Sequence, residues 1–193
     1  MKIVVGLGNP GEKYKTTRHN VAWLGIDALM DFWTNPLVPG SGKWVNEPKF
    51  KSLISDTTIK NQKVLFVYPQ TYMNESGTTV QNICDYYKDR INISEDLLVI
   101  HDDTDLPLGT IKVTNSSSSA GHNGAQDIID KLGTQDFHRI RIGVESRSSR
   151  GQIPTEAFVL QNFSDEELKK LRDEVLPKVN QEIKKFLKLE IEN

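Results

Sequence analysis

Short apolar, β-branched runs alternate along this chain with segments whose apolar residues recur at helical spacing, and no other feature narrows the fold so far. Lys2 to Gly6 reads as a buried strand that ends in a glycine-rich turn. Val21, Leu24, Ala28, Leu29 and Phe32 then mark a first helix over Val21 to Trp33, with Asn20 as a possible cap. Phe50 to Ser55 and Lys63 to Val67 read as strands. Met73, Val80, Ile83, Cys84 and Tyr87 share one helical face, which puts Cys84 in the core. Leu97 to Ile100 is a strand running into His101-Asp-Asp-Thr-Asp105, and Thr110 to Val113 starts another. Ile128, Ile129 and Leu132 suggest a short helix, and Ile140, Ile142 and Val144 alternate with Arg139 and Arg141 as a half-exposed strand. Asp165 to Leu189 is amphipathic, with Pro177 expected to break or kink it. This order predicts an α/β fold, a three-layer α/β/α sandwich around a mixed, mainly parallel sheet, within one domain over residues 1–193. Ligands of such sheets sit beyond the carboxyl ends of the strands, so the loops after Gly6, Val67 and Ile100 are where chemistry is expected.

Composition removes several classes. A single cysteine among 193 residues leaves no disulfide framework and no thiol zinc cluster, which favours a reducing compartment. The opening Met-Lys-Ile-Val-Val-Gly is too short an apolar run for a signal segment or a membrane span, so the expected address is the cytosol. A net charge of −2 provides no global field for nucleic acid. Local charge remains between His138 and Arg150, where Arg139, Arg141, Arg147 and Arg150 meet one acid, Glu145; the alternative there is a solvated strand and loop. The stretch from Thr34 to Pro48, with three prolines and two glycines, reads as an irregular excursion.

Gly6-Leu-Gly8-Asn-Pro-Gly11 spells a dinucleotide fingerprint, but the mechanism behind that fingerprint is missing. It needs a helix opening at the glycines to meet a pyrophosphate, and here Glu12 to His19 is polar and helical spacing starts near Val21. His19, in this polar stretch, is a candidate base or a surface histidine. A carboxylate from His101-Asp102-Asp103-Thr104-Asp105 would orient it. The same acids also suit a divalent cation or simple turn capping. Asn9, Asn74 and Asn123 each occupy a turn, where they cap backbone or, if they converge, offer neutral amides to carbonyls, hydroxyls or an oxyanion.

Six ordered motifs then carry a resemblance: Gly6-Leu-Gly-Asn-Pro-Gly11, Tyr14 with Thr17-Arg-His-Asn20, Met73-Asn-Glu-Ser-Gly77, His101-Asp-Asp-Thr-Asp-Leu-Pro107, Gly121-His-Asn-Gly124 and Phe137-His-Arg-Ile-Arg-Ile-Gly143. The chain resembles the bacterial-type peptidyl-tRNA hydrolases over nearly its whole length. The resemblance implies hydrolysis of the ester between a peptide and the 3′-terminal ribose of tRNA, recycling tRNA from aborted translation without covalent nucleophile, metal or cofactor. It implies that His19 is the base for water and Asp102 its orienting acid. Asn9, Tyr14, Tyr72, Asn74 and Asn123 would hold substrate, and Arg141 and Lys112 would meet the tRNA. It also implies a cytoplasmic monomer. Two departures stand out. Asn115-Ser-Ser-Ser-Ser-Ala120 replaces a glycine-rich loop and has less access to positive φ, and Thr114 stands where relatives often carry a lysine.

Two other classes remain as expectations. A metal-dependent phosphohydrolase would use Asp102, Asp103 and Asp105. A non-enzymatic RNA-binding relative would have no need for His19 beside Asp102.

Overall fold

The computed structural model describes residues 1–33, 42–149 and 151–189. Its centre is a sheet of seven strands: β1 (Lys2–Gly6), β2 (Val45–Glu47), β3 (Ser52–Ile59), β4 (Gln62–Pro69), β5 (Leu97–Pro107), β6 (Ile111–Asn115) and β7 (His138–Glu145), in the order β2-β3-β4-β1-β5-β7-β6. Parallel pairing joins the central strands β4, β1, β5 and β7, and β2, β3 and β6 add antiparallel margins. The mixed sheet is thus parallel where both faces are covered, which is why β1 and most of β4 read as unbroken apolar runs.

The helices are α1 (Val21–Trp33), α2 (Ser76–Tyr86), α3 (Ile93–Asp96), α4 (Asn123–Leu132), α5 (Thr155–Val159), α6 (Asp165–Lys170) and α7 (Leu176–Phe186). Period-two alternation divides each central strand between two cores. Val4, Phe66, Ile100 and Ile142 pack against Ile26 and Leu29 of α1 and Val179 and Ile183 of α7. Ile3, Val5, Val67 and Val99 pack against Val80 and Ile83 of α2 and Ile128 of α4. Each such side chain contributes about 1.5–3 kcal/mol by leaving water. Gly77 lets α2 and α4 touch: a Cβ there would lie 2.3 Å from the Asp127 carbonyl oxygen, and its N–H donates to Asp127 Oδ2 at 2.6 Å.

Four expectations change. The apolar strand at Leu97 does not end at Ile100 but continues through Pro107, because β7 pairs with it at Asp103 opposite Gly143 and, past a register shift, at Pro107 opposite Glu145. The acidic residues therefore lie on a strand, not a turn. Pro177 does not break the C-terminal helix. A π turn over Leu171–Val175 carries α6 into α7, and the proline sits in the first turn of α7, where its missing N–H costs least. Arg139 and Arg141 do alternate with Ile140, Ile142 and Val144, yet Arg139 is fully buried. Its guanidinium stacks on Phe137 at 3.9 Å and donates to Ser117 Oγ and the Gln135 carbonyl. Of the expected irregular excursion from Thr34 to Pro48, residues 34–41 lie outside the described residues, as do Phe32 as a core residue and Arg150, whereas Val45–Glu47 is regular because it pairs with β3 as the edge strand β2. Cys84 is buried, and burial with Asp85 nearby pushes its thiol up to about 12.

Candidate active site

Chain direction assembles the site. The crossover after β1 leads to α1 on one face and that after β4 to α2 on the other, so the loops diverge and leave a crevice at the carboxyl ends of β4, β1 and β5. After β1 the chain makes 3-10 turns at Glu12–Tyr14 and Arg18–Asn20 before α1 begins at Val21. Only a single 3-10 turn follows the glycines and no α-helix opens there, so the dinucleotide reading fails on geometry as it did on mechanism. Gly8 serves a different end: a Cβ there would lie 2.7 Å from the Trp23 indole, whose Nε1–H donates to the Gly6 carbonyl. This contact presses the loop carrying Asn9 onto α1.

The polar stretch before α1 starts on the surface at Glu12 and Lys13 but ends in the interior, with Thr17, Arg18 and Asn20 buried. Arg18 is buried between the rings of Phe158 and Phe163, with its guanidinium on both Glu167 carboxylate oxygens at 2.8 Å and on the Asn162 carbonyl at 2.7 Å. Asn20 is fully buried and caps nothing. Its Oδ1 accepts from the Asn9 N–H and its amide donates to the Asn9 carbonyl, both at 3.0 Å. Burial is tolerated because the Arg18 terminal nitrogens and the Asn20 amide have partners, although Arg18 Nε has none.

These two anchors hold His19 in place. Its Nδ1 lies 2.8 Å from Asp102 Oδ1, so Nδ1–H donates to the carboxylate and Nε2 keeps a lone pair. His122, just before α4, reaches the same oxygen with Nε2 at 2.9 Å. Its Nδ1 accepts from the Ala125 N–H at 3.1 Å, which fixes the proton on Nε2. The expected dyad is in fact a carboxylate shared by two imidazoles. His122 lay inside the Gly-His-Asn-Gly motif but carried no separate signal, since only the fold brings it to Asp102.

Burial alone would lower the His19 pKa, but the Asp102 carboxylate, through charge and hydrogen bond, outweighs it and holds the imidazole above its ordinary value. Burial would likewise raise Asp102, and the two histidines outweigh it and hold the carboxyl well below the usual range. His101 gives its Nδ1–H to the Asp102 carbonyl at 2.7 Å. Burial, reinforced by His122, pushes its pKa well down, so it stays neutral.

The other expected residues spread around this centre. Asn9 is buried, with Oδ1 accepting from the Met73 N–H at 2.9 Å, and its amide NH2 remains as a donor for the cleft. Tyr14, Tyr72 and Asn74 join Asn9 and His19 around a cleft of about 260 Å³ that Glu156, Val159 and Leu160 close from the α5 side. Asn123 is exposed at the first turn of α4 and lines neither this cleft nor the recess of about 50 Å³ behind His19 and His122. Lys112 is exposed on the edge strand β6. Arg141 donates through Nε to Asp103 Oδ2 at 2.6 Å and is mostly buried. Arg147 pairs with Glu145 and stacks on Phe158. The expected basic stretch is therefore largely consumed inside the protein.

The three-aspartate metal reading does not survive. Strand alternation sends Asp102 and Asp103 to opposite faces, Asp103 is held by Arg141 and by the Asp105 N–H, and Asp105 is exposed. Among the described residues, the group whose ligand atoms gather is His19, Asp102 and His122, and there His122 Nε2 bears a proton where a metal would need a lone pair. A larger groove of about 440 Å³ opens at the amino ends of β1, β5 and β7. Its Lys2 and Lys185 are paired with Asp96 and Glu182, and none of the residues that the motifs single out for catalysis lines it. Size does not mark the chemistry here.

Comparison with known proteins agrees with the geometry. The family model for peptidyl-tRNA hydrolase matches residues 3–193. A peptidyl-tRNA hydrolase of Mycoplasma capricolum is 43% identical over 173 residues, covering 90% of this chain and 86% of its own. One from Brevibacillus brevis is 43% identical over 163 residues, covering 84% and 79%. The crystal structure of the Acinetobacter baumannii peptidyl-tRNA hydrolase superposes with a TM-score of 0.82 at 29% identity, covering 97% of this chain and 89% of that one. The chain belongs to the bacterial-type peptidyl-tRNA hydrolase family.

Proposed function

We propose that this chain hydrolyses the ester joining a peptide to the 3′-terminal ribose of tRNA, with His19 as the base that activates water. The observation that carries the residue assignment is the His19 Nδ1 contact with Asp102 at 2.8 Å on the wall of the cleft. Nε2 takes a proton from water as the oxygen attacks the ester carbonyl, and Asp102 stabilises the imidazolium that forms. The amides of Asn9 and Asn74 donate to the developing oxyanion or hold the peptide. Collapse breaks the bond to the ribose oxygen, which leaves with the proton that His19 held, and the peptide carboxylic acid gives its own proton to solvent. No step calls for a covalent enzyme intermediate.

Tyr14, Tyr72 and Asn123 complete the substrate contacts in this reading. Lys112 meets a tRNA phosphate, and Arg141 does so by exchanging Asp103 for it. The working form is a cytoplasmic monomer; no described helix is long and apolar enough to cross a membrane.

The test incubates the purified protein with peptidyl-tRNA and with free aminoacyl-tRNA, with and without chelator. Selective cleavage of the peptidyl ester, insensitive to chelator, is expected. His19→Ala is expected to cut turnover by about 10²-fold or more while tRNA affinity is retained. Wild-type rates in that variant would sink the assignment of the base.

A further inference from the structure

We infer that His122 is a positioning residue that sets how basic His19 is, by sharing the carboxylate oxygen that His19 uses. The inference rests on the proposed role of His19 as base. Both imidazoles donate to Asp102 Oδ1, at 2.8 and 2.9 Å, and their ring centres are 5.1 Å apart. Two donors on one oxygen divide its accepting capacity. The N–H dipole of His122 also points its positive end into the space where a protonated His19 would hold its charge. Both effects oppose the pull of Asp102 on a proton at His19, so His122 keeps His19 in its neutral, proton-accepting form at a lower pH than Asp102 alone would allow.

The protein fixes His122 in the form this requires. Ala120 and Gly121 both take left-handed backbone, at φ 50 and φ 76, and this turn delivers His122 to the start of α4. There the imidazole is the helix cap. Its Nδ1 accepts the Ala125 N–H, so a second proton at Nδ1 would cost that bond. His122 is buried, and both of its ring nitrogens are already engaged, by Asp102 and by the Ala125 N–H. The other charged or titratable groups around the pair are accounted for. His101 of β5, 4.5 Å from His122 ring to ring, stays neutral. Asp103 of β5 is matched by Arg141 of β7. Glu156 of α5 lines the same recess from the solvent side.

His122→Asn separates capping from charge tuning. Asparagine is a strong helix cap whose oxygen serves the Ala125 N–H, but its side chain is too short to reach Asp102. The acid limb of the kcat/KM profile on peptidyl-tRNA should move up by about 0.5–1 pH unit. Rates below the limb should then fall about three- to tenfold, with the loss shrinking as pH rises. His122→Ala should move the limb equally and also lower thermal stability. In the unmodified protein, histidine 15N shifts should show the His122 proton on Nε2, with Nδ1 as the acceptor. The inference is overturned by a folded His122→Asn whose acid limb does not move or moves down, by a loss equal at every pH, or by a His122 carrying its proton on Nδ1. A wild-type protein that cleaves no peptidyl-tRNA would instead overturn the proposed function, while the 15N result would still decide the tautomer and the shared oxygen.

Discussion

Asp102→Asn isolates the charge that the site is built around while keeping its shape. Asp102 is 2% exposed, so its interaction with a protonated His19 is only weakly screened by water. Two unit charges about 4 Å apart interact by roughly 4 kcal/mol at an effective dielectric of 20. The asparagine oxygen still accepts from one or both imidazoles, which retains part of this, so the expected loss is about 2–4 kcal/mol in the transition state. That corresponds to roughly 30- to 10³-fold in kcat, with KM little changed. The pH dependence has a definite sign. Asp102 raises the His19 pKa, so its neutral replacement moves the acid limb to lower pH even as the plateau falls. The depressed Asp102 pKa also makes the carboxylate stabilise the fold fully above the unfolded value of about 3.9, a contribution lost as pH falls further toward the folded value. The assay is steady-state cleavage of peptidyl-tRNA across pH, with thermal unfolding of both proteins. A variant with wild-type kcat, or with an acid limb that rises or stays, would refute the electrostatic role.

Asn9→Ala should cost about 2.7–4 kcal/mol of barrier if its amide meets the oxyanion, whereas Asn74→Ala, on the exposed side of the cleft, should appear mainly in KM; kinetics matching wild type in both parameters would remove either role. Gly77→Ala must force α2 and α4 apart, because its Cβ would meet the Asp127 backbone at 2.3 Å. A loss of about 1–3 kcal/mol in denaturant unfolding is expected, and unchanged stability would contradict that approach. Lys112→Ala should flatten the dependence of log tRNA affinity on log salt by about 0.9, the contribution of one phosphate contact to duplex. Arg141→Ala should flatten that slope by a similar amount and should also destabilise the fold by about 3 kcal/mol, because it leaves Asp103 buried without its cation; unaltered stability would show that the ion pair counts for little.

The sequence by itself determined the elements and their alternation. Apolar period two and period 3.6 are local properties, so β1, α1, α2 and the core position of Cys84 were legible from neighbouring residues. The carboxyl-end location of the site was legible too, because strands that run parallel deliver their exits to one end. His19 and Asp102 were named by the motifs that carry the family resemblance. Only the tertiary structure decided what each polar group does. Arg18 and Arg139 look like surface charge in the chain and are buried, since Glu167 and Phe158 reach Arg18, and Ser117 reaches Arg139, from distant parts of the chain. Arg141 looks free for phosphate and is paired across two strands. The acids after Ile100 look like a turn and lie on a strand, because β7 supplies the backbone partners that extend it. His122 had no mark of its own until the backbone turn at Ala120 and Gly121 brought it to an oxygen twenty residues away. The division follows from range. Hydrophobic periodicity is written in adjacent residues, whereas the state of a buried polar group depends on which distant donors, acceptors and charges replace its water, and that set exists only once the chain has folded.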